Sequence, residues 1–414
     1  MLSAAVPKTE PLRAVTKEQW HADLVAFARE LPKRHLNAFH AVTREQFDAA
    51  VKELDASIGT SGDDAIVVGL SRITAMVGDG HTGVHIPPNW HRLAIQIQPF
   101  GEEWRVTRVT EATKSALGAK VTAICGVSIA EVVRRLTALT PQDELPPLQR
   151  FTVTGKIHIA ELLHGLGITK SADEATLTVV GDDGNAADVV VRAVPLLTLP
   201  QQAWIPLSTE TPLSRRDPQS SFVVQSLPAQ KAVYVNWRRY DDLSENAAKL
   251  WQLVDTSDVA TLIIDLRQND GGDFKVGRRY MVSETARRAG KIKPVVLIGP
   301  RTFSAAMVNA IDLRNDAHAT LAGESIGEKP NSYSENDEFT LPASRLMISY
   351  STRLYQFVPA GAPNVVEPDQ RIEQTWTDAK AGRDAVLDWA LGVAAGFSRP
   401  APSAQNHGSS PLGP

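Results

Sequence analysis

The chain has 414 residues, of which 43% are hydrophobic and 22% are charged, and its formal net charge is −4 at pH 7. This length indicates two or three domains, and the composition is ordinary for a globular protein. Because no basic block dominates the sequence, nucleic-acid binding is disfavoured, and no apolar run approaches the ~18 residues of a membrane-spanning helix.

The two ends of the chain and its single cysteine say little about where the protein works. Residues 1–8 lack the basic and continuous apolar regions of a signal peptide, so none is predicted. Residues 399–414 are rich in Pro, Ser, Gly and Ala and are predicted to be disordered. Cys125 is the only cysteine, which excludes an intrachain disulfide. The compartment stays open, because a cytoplasm and a bacterial periplasm both fit.

The N-terminal region, residues 16–78, is predicted to be helical. Apolar residues recur at helical spacing over 19–28. A second helix starts at Thr43, which forms a capping-box pattern with Gln46. A third helix is predicted over 64–76, where a glycine-rich loop follows it.

Residues 92–195 change to short alternating strands, including 93–100 and 104–109. A strand and glycine turn over 117–126 lead into a predicted helix over 129–139, and the proline-rich stretch 141–147 is predicted to be a loop. This order of strand, turn and helix is typical of a compact peptide-groove module.

From about residue 230 strands and helices alternate. The strands are apolar on both faces, which predicts a layered α/β core. The predicted strands are 232–236, 261–266, 294–299 and 319–323, and the predicted helices are 244–254, 276–289 and 305–314.

Two segments of this core carry residues suited to acyl transfer. Ser304 lies between small residues at a predicted helix start, where the helix N-terminus favours nearby negative charge. Gly271 and Gly272 follow a buried strand and let backbone N–H groups approach a carbonyl. The simpler interpretations are a helix N-cap for Ser304 and a strand-ending turn for the glycines.

A serine nucleophile needs a base, and the sequence offers two candidates. His81 lies in a loop flanked by glycines, and Lys329 follows Ser304 in the chain. A lysine serves as base only where burial keeps it neutral. A zinc site at His81 and His85 is not predicted, because Gly83 lies between them and no third ligand is evident.

Several separated motifs together resemble those of the S41 peptidases, the tail-specific or C-terminal-processing protease group. They occur in the family's order, and the resemblance covers roughly residues 16–395. The matching segments are 78–82, 262–272, 302–306, 323–333 with 341–342, 366–369 and 382–384.

The resemblance implies an α/β fold with a layered core of the crotonase or Clp-protease type, an N-terminal helical region and a β-rich PDZ-like module. We expect the helical region over 1–88, the PDZ-like module over 89–200, the protease core over 201–398 and the disordered tail over 399–414. The usual carboxylate-binding loop of a PDZ domain is not evident in the sequence.

The resemblance also implies roles for single residues. Ser304 corresponds to the nucleophile, and Gly271 or Gly272 together with Ala305 corresponds to the oxyanion hole. Lys329 stands where the processing proteases place a lysine base.

The loop around His81 is typical of the tricorn-like branch, in which the histidine is the base. Gly80 stands where that branch has a serine. We favour His81 as the base, with Lys329 as a nearby positive group. Glu335 and Glu328 are the candidates for the carboxylate that orients His81.

The implied activity is hydrolysis of peptide bonds in unfolded or C-terminal protein segments through an acyl-enzyme, without metal, nucleotide or other cofactor. Its partner is then a polypeptide substrate. Two alternatives stay open: a non-catalytic binding protein on the same scaffold, and an esterase or amidase for small molecules.

Overall fold

The computed structural model describes residues 10–395, so the predictions for the extreme N-terminus and for the tail after residue 398 lie outside the described part. The predicted N-terminal helices are present. They are α1 (Lys17–Arg34), α2 (Arg44–Ser57) and α3 (Asp63–Val77). Thr43 and Gln46 form the predicted capping box, and Thr16 with Gln19 forms another at the start of α1.

A β-rich sheet with three helices follows. Its helices are α4 (Ile129–Thr137), α5 (Pro146–Lys156) and α6 (Ala160–Gly165), so the stretch predicted to be a loop ends in a helix that begins at Pro146. The first nine strands are β1 (Gly83–Val84), β2 (His91–Leu93), β3 (Gln96–Phe100), β4 (Glu103–Val109), β5 (Lys120–Ile124), β6 (Val127–Ser128), β7 (Glu174–Val180), β8 (Ala186–Pro195) and β9 (Ile205–Pro206). The sheet has the order β2-β8-β7-β5-β4-β3, with β6 paired to β5 and β9 paired to β4.

The C-terminal half contains the remaining elements. Its strands are β10 (Phe222–Leu227), β11 (Ala232–Trp237), β12 (Thr261–Asp265), β13 (Lys293–Ile298), β14 (Thr320–Gly323), β15 (Asn331–Thr340), β16 (Met347–Gln356) and β17 (Gln370–Arg371). Its helices are α7 (Leu243–Thr256), α8 (Phe274–Gly277), α9 (Ser283–Arg288), α10 (Ala305–Ala317), α11 (Trp376–Lys380) and α12 (Ala385–Ala394), with a π-helical turn (Arg278–Val282) between α8 and α9. The mixed α/β architecture is confirmed.

A six-stranded sheet forms the second half of the protein, in the order β10-β11-β12-β13-β14-β17. Strands β11 to β14 are parallel and neighbours in the chain. Alternate side chains enter two apolar clusters, one containing Val233 and Ile264 and the other containing Tyr234 and Ile263. Burial on both faces is the physical reason that these strands read as continuous apolar runs.

A separate sheet of three strands, β1-β16-β15, was not predicted. Gly83 of β1 pairs with Ser349 of β16, and β16 forms a long antiparallel hairpin with β15. This pairing places the glycine-rich loop after α3 against the hairpin. Among the described residues, no helix is both long enough and apolar enough to cross a membrane.

A buried ion-pair network joins the six-stranded sheet to the C-terminal helix. Arg267 donates to Asp265 at the end of β12 and to both carboxylate oxygens of Asp384, each 2.8 Å away. Asp384 caps α12, and its pKa falls to about 2 because Arg267 outweighs the effect of burial. Arg267 thus pairs with a carboxylate from the sheet and one from the helix.

Replacing Asp384 with alanine removes one partner of a buried pair and leaves Arg267 short of an acceptor. We expect the free energy of unfolding to fall by about 3 kcal/mol or more in chemical denaturation. The control is Glu245→Ala, which breaks the exposed pair with Lys249 and is expected to cost far less, because solvent screens such a pair. Equal losses in the two variants would contradict a structural role for the network.

Candidate active site

Three consecutive parallel strands bring the candidate residues together. The carboxyl ends of parallel strands lie at the same edge of a sheet, where ligand sites commonly form. Gly271 and Gly272 follow β12, Ser304 follows β13, and Glu328 follows β14. The order of the strands therefore explains why residues far apart in the sequence meet.

Ser304 has an unusual backbone conformation at the start of α10. Its φ is 53° and its ψ is −122°, a region that residues with a side chain rarely adopt. The preceding loop is tied to the end of β12, because Thr302 donates to the Leu266 carbonyl at 3.0 Å and the Phe303 N–H donates to the Asn269 carbonyl at 3.1 Å. Strain of this kind persists where the surroundings fix it, as at functional sites.

The glycine pair lies directly against Ser304. A Cβ on Gly271 would come within 2.8 Å of the Ser304 Cβ, and the φ of Gly271 is +110°, so only glycine fits. The Gly271 N–H already donates to the Asn269 side chain at 3.0 Å. Within residues 10–395, the N–H groups of Gly272 and Ala305 have no acceptor. Of the N–H groups predicted to form the oxyanion hole, those of Gly272 and Ala305 are therefore available to a substrate oxygen.

The loop that carries His81 is held by Asp79. The buried Asp79 carboxylate accepts from the His81 N–H at 3.1 Å, from the Thr82 hydroxyl at 3.0 Å and from Ser351 of β16 at 2.6 Å. Carboxylates commonly fix such turns by accepting from the backbone two residues on. The loop geometry thus depends on the second sheet as well as on its own sequence.

The His81 imidazole stacks on Phe303, the residue before Ser304, with ring centroids 4.7 Å apart. A Cβ on residue 80 would come within 3.0 Å of the Phe303 ring, which explains why a glycine precedes the histidine here. The His81 side chain is only 7% exposed. Burial lowers its pKa to about 4, although the charges of Asp79 and Glu335 oppose that shift. His81 is therefore neutral at pH 7.

Glu328 lies between the nucleophile loop and the imidazole. One carboxylate oxygen accepts the backbone N–H of Ser304, and the other is 3.7 Å from His81 Nδ1, which has no hydrogen-bond partner in the described part of the chain. Burial and the neighbouring Glu144 raise the pKa of Glu328 well above its usual value. Burial thus disfavours the charged form of both groups, the imidazolium of His81 and the carboxylate of Glu328.

A second buried carboxyl group, that of Glu144, connects the two loops that carry His81 and Glu328. Glu144 accepts the Gly80 N–H at 3.2 Å and the Lys329 N–H at 2.9 Å, so it bridges the loops of His81 and Glu328. Its pKa is raised to about 8 by burial. Sequence reasoning missed Glu144, which lies in the proline-rich stretch and carries no motif.

Lys329 and Glu335 point to other partners. Lys329 Nζ pairs with Asp143 at 2.7 Å, and no contact of it with Ser304 is present among the described residues. The exposed Glu335 accepts a hydrogen bond from Tyr355, whereas Glu328 is the carboxylate adjacent to the imidazole nitrogen. The geometry thus favours His81 over Lys329 and Glu328 over Glu335.

One group of side chains has the composition of a metal site. Ligand atoms of His35, His40 and Asp79 lie within 4.8 Å of one another. However, the lone pairs of Asp79 already accept several hydrogen bonds, one of them from His35 Nε2 at 2.9 Å, and His35 Nδ1 accepts the Asn37 N–H. Both ring nitrogens of His35 are thus engaged, which suits a hydrogen-bond network better than a cation.

Solved structures of CPAF have a similar fold. A structure of mature CPAF superimposes with a TM-score of 0.61 and 12% identity, covering 92% of this chain and 97% of that one. CPAF complexed with lactacystin gives a TM-score of 0.60 at 12% identity, covering 92% of this chain and 98% of that one. The photosystem II D1 C-terminal processing protease is a weaker match, with a TM-score of 0.42, 14% identity and coverage of 91% and 97%.

Comparisons of sequence give no further relatives, since neither a family model nor a curated protein matches the chain. At 12% identity the structural likeness is one of fold, and it agrees with the fold that the S41 resemblance implies. The prediction of an S41-type protein is confirmed at that level.

The depressed pKa of His81 predicts how stability depends on pH. The pKa of about 4 in the folded state lies below the ordinary value of 6.5. The unfolded state therefore binds a proton more readily, and the free energy of unfolding falls as pH drops from about 6.5 to about 4. Relative to His81→Gln, the wild type should lose about 3 kcal/mol between neutral pH and pH ~4, at 1.36 kcal/mol per pKa unit. Denaturation curves for both proteins across that range test this, and a constant difference between them would contradict it.

Proposed function

We propose that this protein is a serine-type peptidase that uses Ser304, His81 and Glu328. The observation that carries the proposal is the position of one carboxyl group. Glu328 accepts a hydrogen bond from the backbone N–H of Ser304, and its other carboxylate oxygen faces Nδ1 of His81. A nucleophile, a base and an orienting acid in one cluster are the set that acyl transfer requires.

The proposed reaction begins with attack of the Ser304 hydroxyl on a peptide carbonyl. His81 takes the hydroxyl proton and later gives it to the leaving amine, and water then hydrolyses the acyl-enzyme by the reverse sequence. The N–H groups of Gly272 and Ala305 stabilise the negative oxygen, since both lack an acceptor among the described residues. In its carboxylate form, Glu328 accepts a hydrogen bond from His81 Nδ1–H, which orients the ring and stabilises the imidazolium.

The substrate class that fits is a polypeptide in an unfolded or C-terminal segment. The S41 resemblance supports this substrate class. On the same resemblance we also propose a crotonase-like core, a PDZ-like character for residues 89–200 and domain boundaries at residues 88, 200 and 398. The CPAF structure with bound lactacystin suggests this compound as a reagent for Ser304.

Incubation of the protein with a diverse peptide mixture, read by mass spectrometry, tests the proposal. We expect cleavage by the wild type and none above background by Ser304→Ala, a loss of about a thousandfold or more. The matched control is Ser332→Ala, a serine on β15, which should retain wild-type cleavage.

Other results would select the alternatives. Hydrolysis of small esters without peptide cleavage, lost in Ser304→Ala, would favour a small-molecule esterase with the same residues. No turnover of either class would favour a non-catalytic binding protein. Equal cleavage by wild type and Ser304→Ala would contradict Ser304 as the nucleophile.

A further inference from the structure

One contact at this site has no part in the proposed reaction. The Ser334 hydroxyl of β15 is 3.3 Å from His81 Nε2, and Ser334 is only 8% exposed. On the other side of the ring, Nδ1 is 3.7 Å from Glu328. Hydrogen bonds of this type usually measure about 2.7–3.2 Å. The imidazole therefore lies between two partners, and the Ser334 hydroxyl is the nearer of the two.

This contact competes with the chemistry. A neutral imidazole has one donor nitrogen and one acceptor nitrogen. When Nδ1 carries the ring proton and faces the Glu328 carboxylate, Nε2 is the nitrogen that accepts the proton of Ser304, and the Ser334 hydroxyl occupies it. No hydrogen bond joins the Ser304 hydroxyl to His81 in the part of the chain described here. Catalytic hydrogen bonds are often loose before substrate binds and tighten in the complex.

The backbone beside Ser334 is shaped to hold this contact. Glu335 has a φ of +52° in the middle of a strand, while the flanking pairs Ser334 with Arg353 and Asn336 with Ser351 keep their register. Hydroxyl groups of Thr352 and Tyr355 donate to the Glu335 carbonyl and carboxylate, respectively. Such strain persists where several partners enforce it. The direction of Ser334 is thus fixed by the hairpin.

We propose that Ser334 is a positioning residue that holds His81 in a resting orientation away from Ser304. Turnover then requires the imidazole to leave Ser334 and close on Glu328 and Ser304. The stack on Phe303 permits this, because a flat ring can slide in its own plane over another. This inference rests on the proposed function of the site and concerns its regulation.

The rate at which a fluorophosphonate modifies Ser304 tests the proposal without a known substrate. Loss of one neutral hydrogen bond should make Ser334→Ala react about fivefold faster than the wild type. Ser334→Thr keeps the hydroxyl and should return to the wild-type rate, and Ser332→Ala on the same strand should leave the rate unchanged. An unchanged or slower rate in Ser334→Ala would overturn the resting role.

A spectroscopic readout separates this inference from the proposed function. In ¹⁵N NMR, the Nε2 signal of His81 should shift in Ser334→Ala and stay in place in Ser332→Ala, whether or not the protein cleaves anything. If Ser304 of the wild type never reacts with the fluorophosphonate, the proposed function fails. The NMR result still shows whether Ser334 contacts His81. An Nε2 signal identical in wild type and Ser334→Ala would show that the contact is absent.

Discussion

The shared edge of strands β12, β13 and β14 is the constraint on which the site depends. Parallel strands that neighbour one another in the chain end at the same edge, so the loops after them converge. The first loop supplies the glycines, the second supplies Ser304 and the third supplies Glu328. The Arg267 network fixes this edge against the C-terminal helix, which links the stability of the core to the geometry of the site.

His81 reaches this edge from a different part of the fold. Asp79 ties its loop to β16, and Phe303 supports its ring from the nucleophile loop. The site is therefore assembled between two sheets. Because it lies between them, its carboxyl groups are buried. Burial opposes charge on His81, Glu328 and Glu144 alike, so it lowers the pKa of the imidazole and raises the pKa of both carboxyl groups.

Sequence patterns predicted the core strands well because each is apolar on both faces, and they placed Ser304 and the glycines in loops that follow such strands. The β15–β16 hairpin was missed, since residues 331–340 are mostly polar and show no clear alternation. Without the hairpin, spacing alone could not decide between Glu328 and Glu335. The direction of a side chain depends on tertiary contacts, and the same limit hid the ion pair of Lys329 with Asp143.

The central claim is that Ser304 and His81 act as one catalytic unit. Peptidase activity of Ser304→Ala, His81→Ala and the double variant, measured against the wild type, tests it most directly. We expect either single substitution to remove nearly as much activity as both together, because neither residue works without the other. Losses that add on a logarithmic scale, or a fully active His81→Ala variant, would contradict the claim.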